Sequence, residues 1–243
     1  MLTTEECFLI GIVLGDGNLH RRLKWENVTS IKLAHAPKEY EWLAYKVNKA
    51  SKILGSNATI TKAMNKGDLK AYQWCAGFSK FVHLYNLMYK NGKKVFPVEI
   101  LDQLGAEELA IFWCDDGCIV KNLRKKVDPR TQKAYPNLLQ ETVGSLAVYE
   151  DLETTTAIAD WIEKISEAKA SVKFHKKTGL YYLFFNKKAL VKLCSVISEH
   201  VPNCMQHKID FTAIPISERA LIFNERAIRR QERAATLMVD DIV

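Results

Sequence analysis

An α+β fold built from two copies of an αββαββα unit is predicted for this 243-residue chain by three observations. The dipeptide Asp-Gly closes two helix-like apolar runs, Leu9-Ile-Gly-Ile-Val-Leu-Gly-Asp16-Gly17 and Leu109-Ala-Ile-Phe-Trp-Cys-Asp-Asp116-Gly117. The pattern of helix and strand signals that follows the first run returns in the same order after the second. The last helix of each copy also keeps its apolar side chains in step, with Phe81, Leu84, Leu87 and Met88 matching Leu190, Leu193, Val196 and Ile197 at one constant offset. An internal duplication is the economical explanation. Its unit implies an antiparallel sheet with helices packed on one face and the other face uncovered.

The elements follow in order. Thr3-Thr-Glu-Glu6 reads as a capping box, and the first helix runs from it through Phe8, Ile12 and Val13 to Asp16. Residues 18 to 35 read as a two-stranded ribbon with Arg21, Arg22, Lys24 and Lys32 interleaved among apolar residues. Tyr40, Leu43, Val47 and Ala50 recur at helical spacing and predict a helix from Lys38 to Ile53. Ala58 to Ile60 and Ala71 to Cys75 alternate like strands around the turn Asn65-Lys-Gly-Asp68, and a helix from Ser79 to Met88 is expected to end at Asn91-Gly92. In the second copy, Cys118 to Val148 is a longer basic ribbon, Glu150 to Ala168 a helix, Ser171 to Phe185 a hairpin turning at Lys177-Thr-Gly179, and Lys187 to Ile197 a helix. The expected boundaries are residues 1–97, 98–212 and a charged helical tail over 213–243.

Composition narrows the partners. With 48% hydrophobic residues the chain buries one large core or two of about 100 residues each. Thirty-five Lys and Arg against 28 acids give a net charge of +7, which favours an anionic partner. No leader pattern and no apolar stretch near the roughly 20 residues needed to span a bilayer are present, so a soluble intracellular protein with no membrane partner is expected. The six cysteines lack the spacing of a disulfide framework and suit reduced core thiols. Cys194, His200, Cys204 and His207 lack the paired knuckle of a structural zinc site, so they are not taken as ligands.

The two acids carry the chemistry. The end of a helix is already negative through its dipole and unpaired carbonyls, so an acid there needs a positive partner. A hard divalent cation takes carboxylate and carbonyl oxygens together, and two such ends side by side make a paired metal site. Asp16 and Asp116 are the expected ligands, with Gly15 and Asp115 beside them. Small residues are needed where the two helices cross, and Gly11 with Gly15 is expected against Ala110 with Cys114. The uncovered sheet face is expected to cradle DNA through Lys62, Lys66, Lys70 and Tyr72 in one copy and Lys173, His175, Lys177 and Tyr181 in the other. Lys121, Arg124, Lys125, Lys126, Arg130 and Lys133 extend that surface.

These residues resemble the LAGLIDADG homing endonucleases, specifically the monomeric, two-motif, intron-encoded members. The resemblance covers roughly residues 5 to 212. It rests on the two motifs, on Asn91-Gly-Lys-Lys-Val-Phe-Pro97, on Phe112-Trp-Cys-Asp-Asp-Gly117 and on Val201-Pro-Asn-Cys-Met-Gln-His-Lys208. Motif two departs from the family's pattern in having Ile111 where Gly is usual and Asp115 where Ala is. The resemblance implies two pseudo-symmetric αββαββα domains whose antiparallel sheets form a DNA-binding saddle. It also implies a Mg2+ cofactor that Mn2+ can replace. Asp16 and Asp116 become the metal-binding catalytic acids, Lys94 and Lys208 the lysines beside the scissile phosphates, and Lys32 a residue close to the attacking water. The implied product is a double-strand break in a long, non-palindromic target with short 3′ overhangs.

Three rivals share the basic sheet. An intron RNA maturase, with intron RNA as its partner, uses the same scaffold without cleavage, and dual activity is compatible with both. A degenerate DNA-binding regulator would have lost a motif acid, and none is lost. An intein is disfavoured, because the chain begins with Met1 and has no terminal His-Asn.

Overall fold

The computed structural model describes residues 1–21, 28–127 and 134–210, with backbone alone for 121–127 and 134–141. Contacts gather Met1–Ile119 and Gly144–Asp210 into one compact unit, and Val120–Val143 with Phe211–Val243 into another. Every side chain considered below belongs to the first. The expected tail, 213–243, lies outside the described residues.

Each copy of the unit is present. The first contains α1 (Thr4–Leu14), β1 (Asn18–Arg21), β2 (Thr29–His35), α2 (Tyr40–Leu54), β3 (Thr61–Asn65), β4 (Asp68–Phe78) and α3 (His83–Met88). A small hairpin, β5 (Tyr89–Lys90) and β6 (Lys93–Lys94), leads toward the second copy. That copy contains α4 (Ala106–Asp116), β7 (Gly117–Val127), β8 (Ala134–Glu150), α5 (Leu152–Ser166), β9 (Ser171–His175), β10 (Leu180–Phe185) and α6 (Lys187–Ile197). The two antiparallel sheets have the same order, β1-β2-β4-β3 and β7-β8-β10-β9. Short 3-10 turns cover Pro37–Glu39, Val98–Gln103, Ser198–His200 and Asn203–Lys208.

The capping box forms as the sequence predicts. Thr3 Oγ1 accepts the Glu6 N–H at 3.2 Å and Glu6 Oε2 accepts the Thr3 N–H at 2.7 Å. Residues 6 to 14 are then buried on every side of α1, as befits a helix with no polar face. On α2, Leu43, Val47 and Ala50 are fully buried over the sheet, and on α5 so are Ile158 and Ile162. The corresponding helix residues Leu84, Met88, Leu193 and Ile197 are buried as well, which supports the duplication.

Three boundaries differ from expectation. Asn91 and Gly92 have φ of 52° and 73° and turn the β5–β6 hairpin, so they do not end a helix. The helix before them starts only at His83, because Phe81 and Val82 carbonyls accept the amides of Leu84 and Tyr85 in tight turns. β3 begins at Thr61, after the Ala58–Ile60 stretch where a strand was expected.

α1 and α4 lie side by side and run in the same direction. A Cβ on Gly11 would meet Glu108 at 3.1 Å, and one on Gly15 would strike the Asp115 carboxylate. The nearest residues across from the two glycines are therefore Glu108 and Asp115, not the expected Ala110 and Cys114. After each helix the chain folds back over its last turn: the Gly17 amide reaches Ile12 O at 3.0 Å, and the Gly117 amide reaches Trp113 O. An added Cβ on Gly17 would lie 2.6 Å from Ile12 O, a backbone atom that cannot swing away. Gly17→Ala is accordingly expected to lower stability by about 1–3 kcal/mol in denaturant unfolding, whereas Gly67→Ala, in an open turn, should leave α1 packing untouched.

Candidate functional site

The parallel packing of α1 and α4 brings their C-terminal ends together, and with them Asp16, Asp115 and Asp116. Each end is furnished with one lysine. Lys94 Nζ donates to Gly15 O at 2.6 Å and Gly17 O at 3.4 Å, while Lys208 Nζ donates to Gly117 O at 2.8 Å. The β5–β6 hairpin positions Lys94, and the last 3-10 turn positions Lys208. That turn is pinned by the Trp113 indole, whose N–H donates to Lys208 O at 2.9 Å. Each ammonium thus satisfies a carbonyl beside a motif acid, the compensation that a negative helix end calls for.

The acids are electrostatically loaded. Burial, with the charges of Asp16 and Asp115, pushes Asp116 up to about 7, although Lys94 and Lys208 oppose it. Asp16 is raised as well, by burial and then by Asp115, although its side chain is 47% exposed. Burial holds Lys94 below the usual range against the pull of Asp116 and Asp16. Two neighbouring carboxylates that resist ionising are a donor pair suited to a hard divalent cation, whose charge would relieve them.

Asp115 behaves differently. Its side chain is wholly buried, and both oxygens are occupied. Lys46 Nζ donates to Oδ1 at 2.8 Å and Oδ2 at 2.9 Å, the Trp42 indole N–H to Oδ1 at 2.6 Å, and the Asp16 amide to Oδ2 at 3.1 Å. Asp16, His35 and Asp115 each offer an oxygen or nitrogen within 4.8 Å of the others, a spacing a metal can bridge. Four hydrogen bonds from three donor groups already saturate Asp115, however, so its carboxylate is better suited to holding the site than to ligating. His35 sits at the end of β2 with Nδ1 3.6 Å from Asp16 and 3.4 Å from Glu39, and burial lowers its pKa.

The second end has its own surroundings. A cavity of about 270 Å³ is lined by Gly15, Lys94, Phe96, Phe112, Asp116 and Glu150, among others. Glu150 ends β8 opposite Tyr181, as His35 ends β2 opposite Tyr72, so one register position carries His in one copy and Glu in the other. Burial and Asp151 raise Glu150, with Lys94 opposing.

Sheet register sorts the DNA-facing candidates. Ile31, Leu33, Trp74 and Ala76 face the helices, so residues in register between them face away. Lys32 is exposed on the open face, opposite Asn18 and Cys75. Lys173 and His175 also lie there, opposite Tyr182 and Leu180. Lys66 and Lys177 occupy exposed turns. Tyr72 and Lys62 instead share the face of the helix-covered Trp74, and Tyr72 packs on Tyr40 with ring centres 4.7 Å apart, while Lys70 falls at the bulge where β3 and β4 shift register. Arg21 pairs with buried Thr29 on that side too, and Tyr181 packs on Phe174 at 5.2 Å beside buried Leu183. Lys62, Tyr72 and Tyr181 therefore lie on the helix-covered side and not on the open face expected of them, since a one-residue slip exchanges the faces. Arg22, Lys24, Arg130 and Lys133 lie outside the described residues, as do the side chains of Lys121, Arg124, Lys125 and Lys126, whose backbone belongs to β7.

His35, Trp42, Lys46, Glu150 and Tyr182 were missed. For Lys46 a signal was present: it shares the apolar stripe of α2 with Leu43, Val47 and Ala50, where a buried ammonium demands a partner. Tyr182 faces Tyr149 and His175 across a cavity of about 220 Å³ that also touches Ser145 and Ala147 on the open face. Among the described residues, Asp16, His35 and Asp115 form the one group of three metal-capable side chains; Cys194 is a core thiol that burial pushes up to about 12.

The family model for LAGLIDADG DNA endonucleases matches residues 7–193. The chain belongs to the LAGLIDADG DNA endonuclease family. The fold is that of solved members: the homing endonuclease I-WcaI bound to its DNA recognition sequence superposes with a TM-score of 0.62 at 17% identity, covering 86% of this chain and 87% of that one. The meganuclease I-SmaMI bound to uncleavable DNA gives 0.53 at 9% identity, covering 84% and 87%. A RecA protein of Mycolicibacterium flavescens is 22% identical over 211 residues, which is 83% of this chain and 45% of the RecA sequence. The chain spans about half the length of the curated relatives it matches. No helix among the described residues is long and apolar enough to cross a membrane.

The raised Asp116 gives this LAGLIDADG site a pH signature. Between about pH 4 and 7 the folded chain keeps a proton on Asp116 that the unfolded chain has released. The group's stabilising contribution is therefore present at low pH and lost as pH rises through about 7. Thermal unfolding of metal-free protein should show wild type losing stability relative to Asp116→Asn across that window. A constant difference between the two proteins would contradict the assignment.

Proposed function

We propose that the chain is a site-specific homing endonuclease that makes a double-strand break in a long, non-palindromic DNA target, leaving short 3′ overhangs. The observation that carries this reading is the pair of nonidentical Asp-Gly helix ends, each with one lysine seated on a carbonyl beside the motif acid. Two strands need two hydrolytic centres, and one chain here supplies both, so a monomer suffices and its target need not be symmetric. The DNA-bound relatives I-WcaI and I-SmaMI support double-stranded DNA as the partner.

The residues divide the work. Asp16 and Asp116 would hold Mg2+, with Mn2+ as a substitute, while the neighbouring carbonyls of Gly15 and Gly117 are taken by Lys94 and Lys208. When bound, a divalent cation supplies an activated water and neutralises the non-bridging phosphate oxygens. Lys94 and Lys208 place a positive charge beside each acid, where charge builds on the phosphate and on the leaving oxygen. Lys94, held below the usual lysine range, parts with its proton more readily than a surface lysine, which suits proton transfer to that oxygen. Lys32, Lys173 and His175 on the open faces, with Lys66 and Lys177 at the turns, meet the DNA. A splicing cofactor on the same scaffold would have no use for two acid–lysine pairs.

Selection from a randomised target library with magnesium should recover one long asymmetric sequence that the protein cuts on both strands. On that target, Asp16→Asn or Asp116→Asn should slow double-strand cleavage more than about 100-fold while leaving salt-sensitive binding in calcium. Lys94→Met should slow one strand by roughly 100-fold or more. Recovery of no cleavable sequence would reject the enzyme, and stimulation of intron splicing by the Asp116→Asn protein would favour the RNA reading.

A further inference from the structure

The buried cluster of Trp42, Lys46 and Asp115 is asymmetric between the two copies. Counted back from the helix caps Gly55 and Glu167, Lys46 aligns with Ile158 and Trp42 with Thr154. Asp115, the residue before the motif acid, aligns with Gly15. One side of the α1–α4 junction thus carries a fully buried ammonium, a buried carboxylate and an indole N–H. The equivalent side carries Ile158, Thr154 and Gly15, with no charged side chain among them. Gly15 and Asp115 are also complementary: a Cβ on Gly15 would occupy the place of the Asp115 carboxylate, so the missing side chain is what lets Asp115 reach across.

We propose that Lys46 and Trp42 are positioning residues for the Asp16 centre, acting through Asp115. Lys46 contacts both Asp115 oxygens, and Trp42 contacts one of them, which fixes the carboxylate's rotation. So fixed, Asp115 Oδ2 accepts the Asp16 amide at 3.1 Å and anchors the backbone that carries the first motif acid. Asp116 has no such tether; its neighbour Gly117 is held by the Trp113 carbonyl and by Lys208. Lys46 thereby reaches from α2 to set the geometry of a centre it does not touch, and the two centres are tuned by different parts of the chain. A buried pair of this kind specifies arrangement more than it adds stability.

This inference rests on the endonuclease reading, and its test has one readout that does not. Removing one member of a buried ion pair leaves the other uncompensated, so the informative protein is the double variant Lys46→Met with Asp115→Leu, which keeps the volume apolar. Melting temperature close to wild type, with strand-resolved cleavage of an end-labelled target, should show one strand slowed on the order of 10- to 100-fold and the other within about threefold, so that nicked DNA accumulates. Lys46→Arg, which preserves the charge, should recover part of the slowed strand's rate. Equal slowing of both strands, or wild-type cutting of both, would overturn the proposal. Hydrogen exchange at the Asp16 amide is the independent readout: it should be slow in wild type and fast in the double variant while the Gly117 amide is unchanged. Fast exchange in the wild type would overturn the proposal even if no cleavable target were found. Absence of cleavage by wild type with a protected Asp16 amide would reject the enzyme and leave the tether standing.

Discussion

The close, parallel contact between α1 and α4 is the constraint on which everything else depends. It forces two helix C-termini, each negative by its dipole and each followed by an acid, into one another's neighbourhood. Nothing in that contact is electrostatically comfortable, and the surrounding structure reads as a set of responses to it. Lys94 and Lys208 answer the carbonyls, Lys46 answers Asp115, and the raised pKa values of Asp16 and Asp116 record what is left uncompensated.

The same contact explains why glycine recurs. Gly11 and Gly15 admit the partner helix, and Gly17 and Gly117 let each chain fold back so that its acid projects from the helix end instead of trailing into solvent. The sheets are built as platforms around this junction: each enters directly from a motif, so Lys32 lies opposite Asn18, two residues beyond Asp16. That continuity puts the first strand of the sheet and the motif acid on one short stretch of backbone.

Much of the fold was legible because duplication doubles every weak signal. Apolar runs and turn residues agreed in both copies, and the lengths that went astray lie in the first copy, at Ala58 to Ile60 and near Ser79 and Asn91. The site was half legible. Asp16, Asp116, Lys94 and Lys208 lie within motifs that announce themselves, and the structure brings them together. Which face a strand residue occupies depends on register to a single residue, and Lys62, Tyr72 and Tyr181 show how readily that is lost. Lys46 and Asp115 could be matched only in three dimensions, because their partnership crosses from one copy of the unit to the other.

The central claim is that the two motif acids hold the metal while Asp115 holds the protein. Anomalous diffraction from a complex of the protein with its selected DNA target and Mn2+ tests this most directly. Peaks are expected against the carboxylates of Asp16 and Asp116, with Asp115 still bound to Lys46 and Trp42. A peak seated among Asp16, His35 and Asp115, with Lys46 displaced, would contradict it.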